Sequence, residues 1–110
     1  MITERLHAML AERKLREHHF PGLGEPAWNM LVDLALARME RRKVSVTSAC
    51  FASYSPVTTA LRHVDILLSL GLIERQPDPE DGRRRSLILT DTAAATLDAM
   101  LCGDHLRSAS

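Results

Sequence analysis

The segment Ser45–Arg75, SVTSACFASYSPVTTALRHVDILLSLGLIER, decides the fold because it holds two helix signals separated by a short polar turn. A short helix is predicted over residues 47–53. A longer helix is predicted from Ser55-Pro56, since serine can cap free backbone amides and proline at the first helical position lacks an amide that would be unpaired anyway. Gly71 then predicts a left-handed helix end, closed by Leu72.

The second helix of this segment has two unlike faces. Spacing of three and four residues predicts a buried apolar face made of Val57, Ala60, Leu61, Val64, Leu67 and Leu68. The opposite face presents Thr58, Thr59, Arg62, Asp65 and Ile66, with His63 near the border. We expect the first face to build the core and the second to remain outside it.

A hairpin is predicted after this helix. LIERQ and RSLILT flank the loop PDPEDGRR, and Leu87 and Leu89 alternate with Ser86 and Ile88. Thr90 predicts the cap of a last, alanine-rich helix over residues 91–102 that ends at Gly103, with residues 103–110 as a tail.

Two further helices precede the segment. The first is predicted over residues 1–20, and Pro26 is well placed to begin the second, which is expected to end near Arg41. The predicted apolar stripe of the second helix comprises Trp28, Leu31, Val32, Ala35, Leu36 and Met39, and Met30 and Leu34 widen it, so this helix is expected to be buried on more than one side. A short strand is predicted over Val44–Val46.

Length and composition limit the protein to one small domain. The chain has 110 residues, 45% of them hydrophobic and only 4% aromatic, so an aliphatic, helical core is expected. The prediction is a single domain over residues 1–110, mainly α with a small β wing: about five helices and a two- or three-stranded antiparallel sheet. Residues 26–90 carry the helix-turn-helix and the wing.

Several function classes are not expected from this sequence. No membrane span or signal-type segment is evident, so the cytoplasm is the predicted location. Cys50 and Cys102 are far apart and lack the spacing of metal ligands, so no metal, cofactor or disulfide is expected, although redox sensing by either thiol stays open. No catalytic motif is present, and we expect no enzyme.

Two helices joined by a turn and followed by an arginine-tipped hairpin are the pattern of a winged helix-turn-helix. A helix about 10 Å wide fits the major groove of duplex DNA. Arg62 can bind guanine through two parallel hydrogen bonds, and Thr58 and Thr59 can reach base edges or phosphates. Ser55 and His63 complete the predicted contact set on this side.

Basic residues elsewhere extend the predicted DNA contact. Arg83, Arg84 and Arg85 follow a glycine at the hairpin tip and are predicted to enter the minor groove, where the negative potential is high. Arg41, Arg42 and Lys43 are predicted to touch phosphate. Both clusters have a plainer interpretation, because charges collect at hairpin tips and cations complement a helix C-terminus without any partner.

Three parts of the chain resemble the MarR-type bacterial transcriptional regulators. They are the helix-turn-helix, the segment Gly71-Leu72-Ile73-Glu74-Arg75, and DPEDGRRRSLILT at 78–90. The resemblance covers about residues 27–100. It implies a sequence-specific regulator of transcription that binds double-stranded DNA through the helix from Pro56 and the wing, often as a homodimer through terminal helices.

The sequence leaves three questions open. Tyr54 stands where such motifs usually have glycine, so either the turn is not left-handed there or the tyrosine bears strain. Only 20 residues follow Thr90, so both monomer and dimer remain open. The 14 basic and 14 acidic residues balance, which is the best support for the alternative of a winged-helix module that binds protein within a regulatory complex, although the basic residues collect at 38–43, Arg62 and 83–85.

Overall fold

The computed structural model describes residues 1–77 and 85–109, with side chains up to residue 102. Its five helices are α1 (Ile2–His19), α2 (Glu25–Glu40), α3 (Val46–Ala52), α4 (Val57–Ser69) and α5 (Asp91–Ala109). The strands β1 (Ile73–Pro77) and β2 (Arg85–Leu89) pair antiparallel, with Ile73 opposite Leu89. This confirms the predicted mainly helical class with a small β wing.

Backbone contacts divide the chain into two compact units. One comprises Met1–Leu23 and Ala95–Ser110, and the other comprises Gly24–Ala94. In the first unit, every residue of α1 is at least partly exposed, including the apolar Leu6 and Met9. The helix α5 continues through Gly103, where the sequence predicted its end. In the part of the chain that the structure describes, no helix is both long and apolar enough to cross a bilayer.

The core of the second unit forms around α2, which contacts α3, α4 and β2. Its largest fully buried side chains include Met30, Leu31 and Leu34. The predicted stripe of α2 was wrong at three positions, because Val32, Leu36 and Met39 are exposed. Of the predicted residues, Trp28, Met30, Leu31 and Leu34 are buried, and Ala27 and Ala37 complete the buried side of the helix.

The link from α2 to α3 contains a single β-bridge instead of the predicted short strand. Ser45 bridges Ser86, and the Leu87 amide donates to the Val44 carbonyl at 2.8 Å. The Ser45 hydroxyl also accepts from the Ser48 amide at 3.1 Å and so caps α3. Ser45 therefore pairs with the hairpin and also caps the first helix of the helix-turn-helix.

The C-terminal end of α4 is built as predicted. Gly71 is left-handed, with φ of 72°, and the Leu72 amide donates to the Leu67 carbonyl at 3.0 Å. The Thr90 hydroxyl lies 2.8 Å from the Gly71 carbonyl oxygen and accepts from the Ala93 amide at 3.2 Å. Thr90 thus joins the end of α4, the end of the hairpin and the start of α5.

Candidate nucleic-acid interface

The turn before α4 is left-handed at a tyrosine. Tyr54 has φ of 56° and is 90% exposed, so its side chain does not pack in the core. A side chain with a Cβ adopts this conformation at a cost, because Cβ crowds the following carbonyl oxygen. Of the two alternatives that the sequence left open, the structure has the strained tyrosine.

Ser55 does not cap α4, which corrects the sequence prediction. The N-cap of α4 is Pro56, in an extended conformation and without any side-chain cap bond. The Ser55 hydroxyl instead lies 2.7 Å from the hydroxyl of buried Ser53, which donates to the Cys50 carbonyl at 2.6 Å. The two serines therefore stabilise the turn around Tyr54 and not the first turn of the helix.

The direction of this hydroxyl chain limits what Ser55 can do. Ser53 has one hydroxyl proton and gives it to the Cys50 carbonyl. Ser55 must then donate its own proton to Ser53, which leaves the Ser55 oxygen as an acceptor toward the outside. Such an oxygen can accept from a base amino group but has no proton left for a phosphate oxygen.

Only three side chains of α4 are fully buried, namely Ala60, Val64 and Leu67. The prediction that Val57 and Leu61 belong to the core was wrong, because they are 65% and 42% exposed. Leu68, also predicted there, is half-buried. The apolar side of this helix is thus wider than the surface that α2 and α3 cover.

The face predicted to lie outside the core does so. Thr58, Thr59, Arg62, Asp65 and Ile66 are all exposed. Asp65 lies 3.6 Å from the Arg75 guanidinium on β1, and within the described residues Arg62 itself makes no ion pair or hydrogen bond. Because Asp65 has a cationic partner on the strand, the Arg62 guanidinium keeps its five donors for another ligand.

His63 lies at the border of this face and is half-buried. Its ring atom Nδ1 is buried and has no hydrogen-bond partner in the described part of the chain. Burial closes Nδ1 to an outside ligand, which leaves Nε2 as the ring nitrogen that could contact one.

The basic residues away from α4 have different surroundings. Arg42 donates to Glu40 at 2.9 Å and lies 3.6 Å from Asp33, and the Glu40 hydrogen bond raises the pKa of its guanidinium above the usual value. Arg41 is exposed in a left-handed conformation that ends α2, and Lys43 and Arg85 are also exposed. Arg83 and Arg84 lie outside the described residues.

Neither cysteine has the surroundings of a reactive thiol. Burial raises the pKa of the Cys50 thiol, and a hydrogen bond to Asp98 raises the pKa of the Cys102 thiol. Both shifts lower the fraction of thiolate, which is the reactive form. Among the described residues there is no cluster of His, Cys, Asp and Glu that could hold a metal ion.

Comparison with solved structures identifies the fold. The crystal structure of the MepR–DNA complex from Staphylococcus aureus is similar to this chain with a TM-score of 0.73, at 19% identity over 96% of this chain and 84% of that chain. The chain has the winged helix-turn-helix fold of MarR-type regulators. No protein-family model and no curated protein matches the sequence.

Two further structures with this MarR-type fold come from other bacteria. A probable transcriptional regulator from Pseudomonas aeruginosa has a TM-score of 0.63, at 25% identity over 96% of this chain and 77% of that chain. The heme sensor PefR from Streptococcus agalactiae has a TM-score of 0.62, at 18% identity over 94% of this chain and 71% of that chain. The fold that the sequence resemblance implied is therefore confirmed.

Proposed function

We propose that the protein is a regulator of transcription that binds double-stranded DNA sequence-specifically, with α4 in the major groove. The observation that carries the proposal is the outer face of α4, where Arg62 is exposed and unpaired within the described residues while the neighbouring Asp65 pairs with Arg75. The similarity in fold to MepR, which has been crystallised with DNA, supports the same function.

Arg62 is the residue expected to read a base. Thr58 and Arg62 are four residues apart and so lie on one side of α4, within its first two turns. An arginine in this place can donate two parallel hydrogen bonds to O6 and N7 of guanine. The threonine hydroxyls are short enough to let the helix approach closely, and each can contact a base edge or a phosphate.

The remaining basic residues are expected to bind the DNA backbone. Arg41 and Lys43 follow α2, and Arg42 between them has two carboxylate neighbours that offset its charge. We therefore expect Arg42 to contribute less phosphate binding than Arg41. For the hairpin tip, the run Arg83–Arg85 after a glycine supports contact with the minor groove.

Selection from a pool of random duplexes tests the proposal. We expect enrichment of a defined motif that contains a guanine, and a palindromic motif if the protein binds as a dimer. Failure to enrich any duplex at low salt would contradict DNA binding. It would favour the alternative of a protein-binding module, which the balanced net charge supports.

Salt titration tests the wing separately. Arg84→Ala should weaken binding to selected and unrelated duplexes alike, because a phosphate or minor-groove contact of this kind carries little sequence information. The slope of log K against log salt should become shallower by about 0.9 for each phosphate that the protein no longer neutralises. An unchanged slope would show that the tip is a solvated turn.

The homodimer through terminal helices is part of the same proposal. Ile2, Leu6, Met9 and Leu10 of α1 are all exposed apolar side chains, as expected of a helix that buries its surface against a second copy. Light scattering of the free protein would give the mass of a dimer if this holds. A monomer mass at micromolar concentration would contradict it.

A further inference from the structure

The exposed surface of α4 includes two apolar residues that the sequence prediction assigned to the core. Val57 and Leu61 are four residues apart and therefore about 40° apart around the helix, and both are exposed. Thr58 and Arg62 form a second pair with the same spacing. The polar pair lies about 100° around the axis from the apolar pair, in the same first two turns. A groove that encloses the exposed side of the helix would therefore meet both pairs.

Tyr54 adds to this apolar surface from the turn immediately before α4. It is the most exposed aromatic side chain of the described residues, and its backbone holds a strained left-handed conformation. A glycine would adopt that conformation without strain, and the buried Ser53 hydroxyl already stabilises the turn. The tyrosine side chain therefore has no evident part in folding, and strained residues of this kind cluster at functional sites.

The major groove offers a single apolar partner to such side chains. Among the base edges exposed there, only thymine presents an apolar group, its C5-methyl. Val57 and Leu61 carry no polar side-chain atom, so they can contribute to sequence reading only by contact with that methyl group. A guanine or cytosine at the same place would leave these side chains against polar groups.

We propose that Val57, Leu61 and Tyr54 form a thymine-reading strip beside the polar pair Thr58 and Arg62. This inference rests on the proposed binding of α4 in the major groove. It deepens that proposal by naming the base that the apolar pair selects. The selected motif should contain at least one thymine next to the guanine that Arg62 contacts.

Replacement of single thymines by deoxyuridine tests the strip, because it removes only the C5-methyl group. In the selected duplex, deoxyuridine at a contacted position should lower the affinity about fourfold, as expected when one methyl-sized apolar group is no longer buried. Thymines elsewhere in the motif should tolerate the same change. An affinity unchanged at every position would overturn the inference.

Variants of the strip connect this effect to named residues. Val57→Thr keeps the shape of the side chain but replaces a methyl by a hydroxyl, so its ratio of affinities for thymine and deoxyuridine should fall from about four to about one. Ile66→Thr is the matched control: Ile66 is as exposed as Leu61 but lies about 14 Å along the axis from Val57. The control should keep the parent ratio.

Tyr54→Gly separates the strip from the stability of the fold. We expect its melting temperature to be no lower than that of the parent, because glycine relieves the left-handed strain, while its affinity for the thymine-containing duplex falls several-fold. Tyr54→Phe should keep the affinity. Full affinity in Tyr54→Gly would remove Tyr54 from the strip.

The outcomes distinguish failure of the strip from failure of the proposed function. If no duplex is enriched, DNA binding itself is contradicted and the strip with it. If a motif is enriched and its guanine depends on Arg62, but Val57→Thr retains the thymine preference, DNA binding stands and the strip alone is wrong.

Discussion

Each end of α4 is flanked by a residue in the left-handed backbone conformation, but the two residues are of very different types. Gly71 ends the helix with φ of 72°, and Tyr54 precedes it with φ of 56°. A Cβ at Gly71 would have no atom within 4 Å, so glycine stands there for its conformation and not for space. At position 54 the backbone is strained, and the residue there carries an exposed aromatic side chain. Glycine at the first end thus serves the fold, whereas the exposed tyrosine at the second end agrees with the proposed contact with DNA.

Each end also contains a serine that donates to the carbonyl three residues earlier. Ser53 bonds to Cys50 and is buried, whereas Ser69 bonds to Ile66 and is exposed. The buried bond fixes the turn that holds Tyr54. At the C-terminal end of α4, the hydrogen bonds of Leu72 and Thr90 fix the turn. The exposed bond of Ser69 adds little to them.

Ser53→Ala should cause the largest loss of stability among the changes at these two ends. It removes a buried hydroxyl that bonds to both Cys50 and Ser55, and we expect the free energy of unfolding to fall by about 1 to 3 kcal/mol. Ser69→Ala is the matched control and should stay within about 0.5 kcal/mol of the parent. Urea denaturation measures both, and equal losses would show that burial does not distinguish the two ends.

Gly71→Ala should cost about 1 to 2 kcal/mol, because alanine in the left-handed conformation crowds its own carbonyl group. Gly71→Asn should be less destabilised, since asparagine adopts this conformation more readily. Thermal denaturation of the two variants tests the conformational explanation. An equal loss in both would argue that a feature other than φ requires glycine.

Thr90→Val should cost about 1 kcal/mol, because it removes the cap of α5 together with the hydroxyl bond to the Gly71 carbonyl. Thr90→Ser keeps the hydroxyl and should retain most of the stability. Chemical denaturation of the pair shows whether the hydroxyl or the methyl group matters. A loss of the same size in the serine variant would contradict the role of the hydroxyl.

Tyr54→Gly should cause no loss of stability, with an effect between no change and a gain of about 1 kcal/mol. Relief of strain and the greater freedom of glycine in the unfolded chain oppose each other. Calorimetry of Tyr54→Gly and of Gly71→Ala gives the sign of the change in stability at each end of α4. A destabilisation of about 2 kcal/mol or more would mean that Tyr54 supports the fold, and the contrast between the two ends would disappear.

The sequence predicted the parts of the fold that depend on local chemistry. Gly71 and Thr90 act as predicted, because a left-handed helix end and an N-cap require particular residue types at one position. The same reasoning failed at Ser55, where a neighbouring buried hydroxyl competes for the side chain that the prediction assigned to the helix. An interaction between two serines two residues apart has no pattern that sequence reading recognises.

The polar exposed face of α4 was predicted, and the exposure of its apolar residues Val57 and Leu61 was missed. Periodicity showed that α4 has an apolar side, but it did not show how much of that side the neighbouring helices cover. Val57 and Leu61 were therefore assigned to the core, and Val32 and Leu36 of α2 were misplaced for the same reason. The predicted contacts of Arg83 and Arg84 stay predictions, because both residues lie outside the described part of the chain.

The base preference of Arg62→Ala, measured at every position of the selected duplex beside that of the parent, tests most directly whether α4 reads the major groove. Arg13→Ala, which removes an exposed arginine of α1, is the control. We predict that Arg62→Ala reduces discrimination at one guanine by about 1 to 3 kcal/mol and keeps the preference elsewhere. A preference profile identical to that of the parent at all positions would contradict the placement of α4 in the groove.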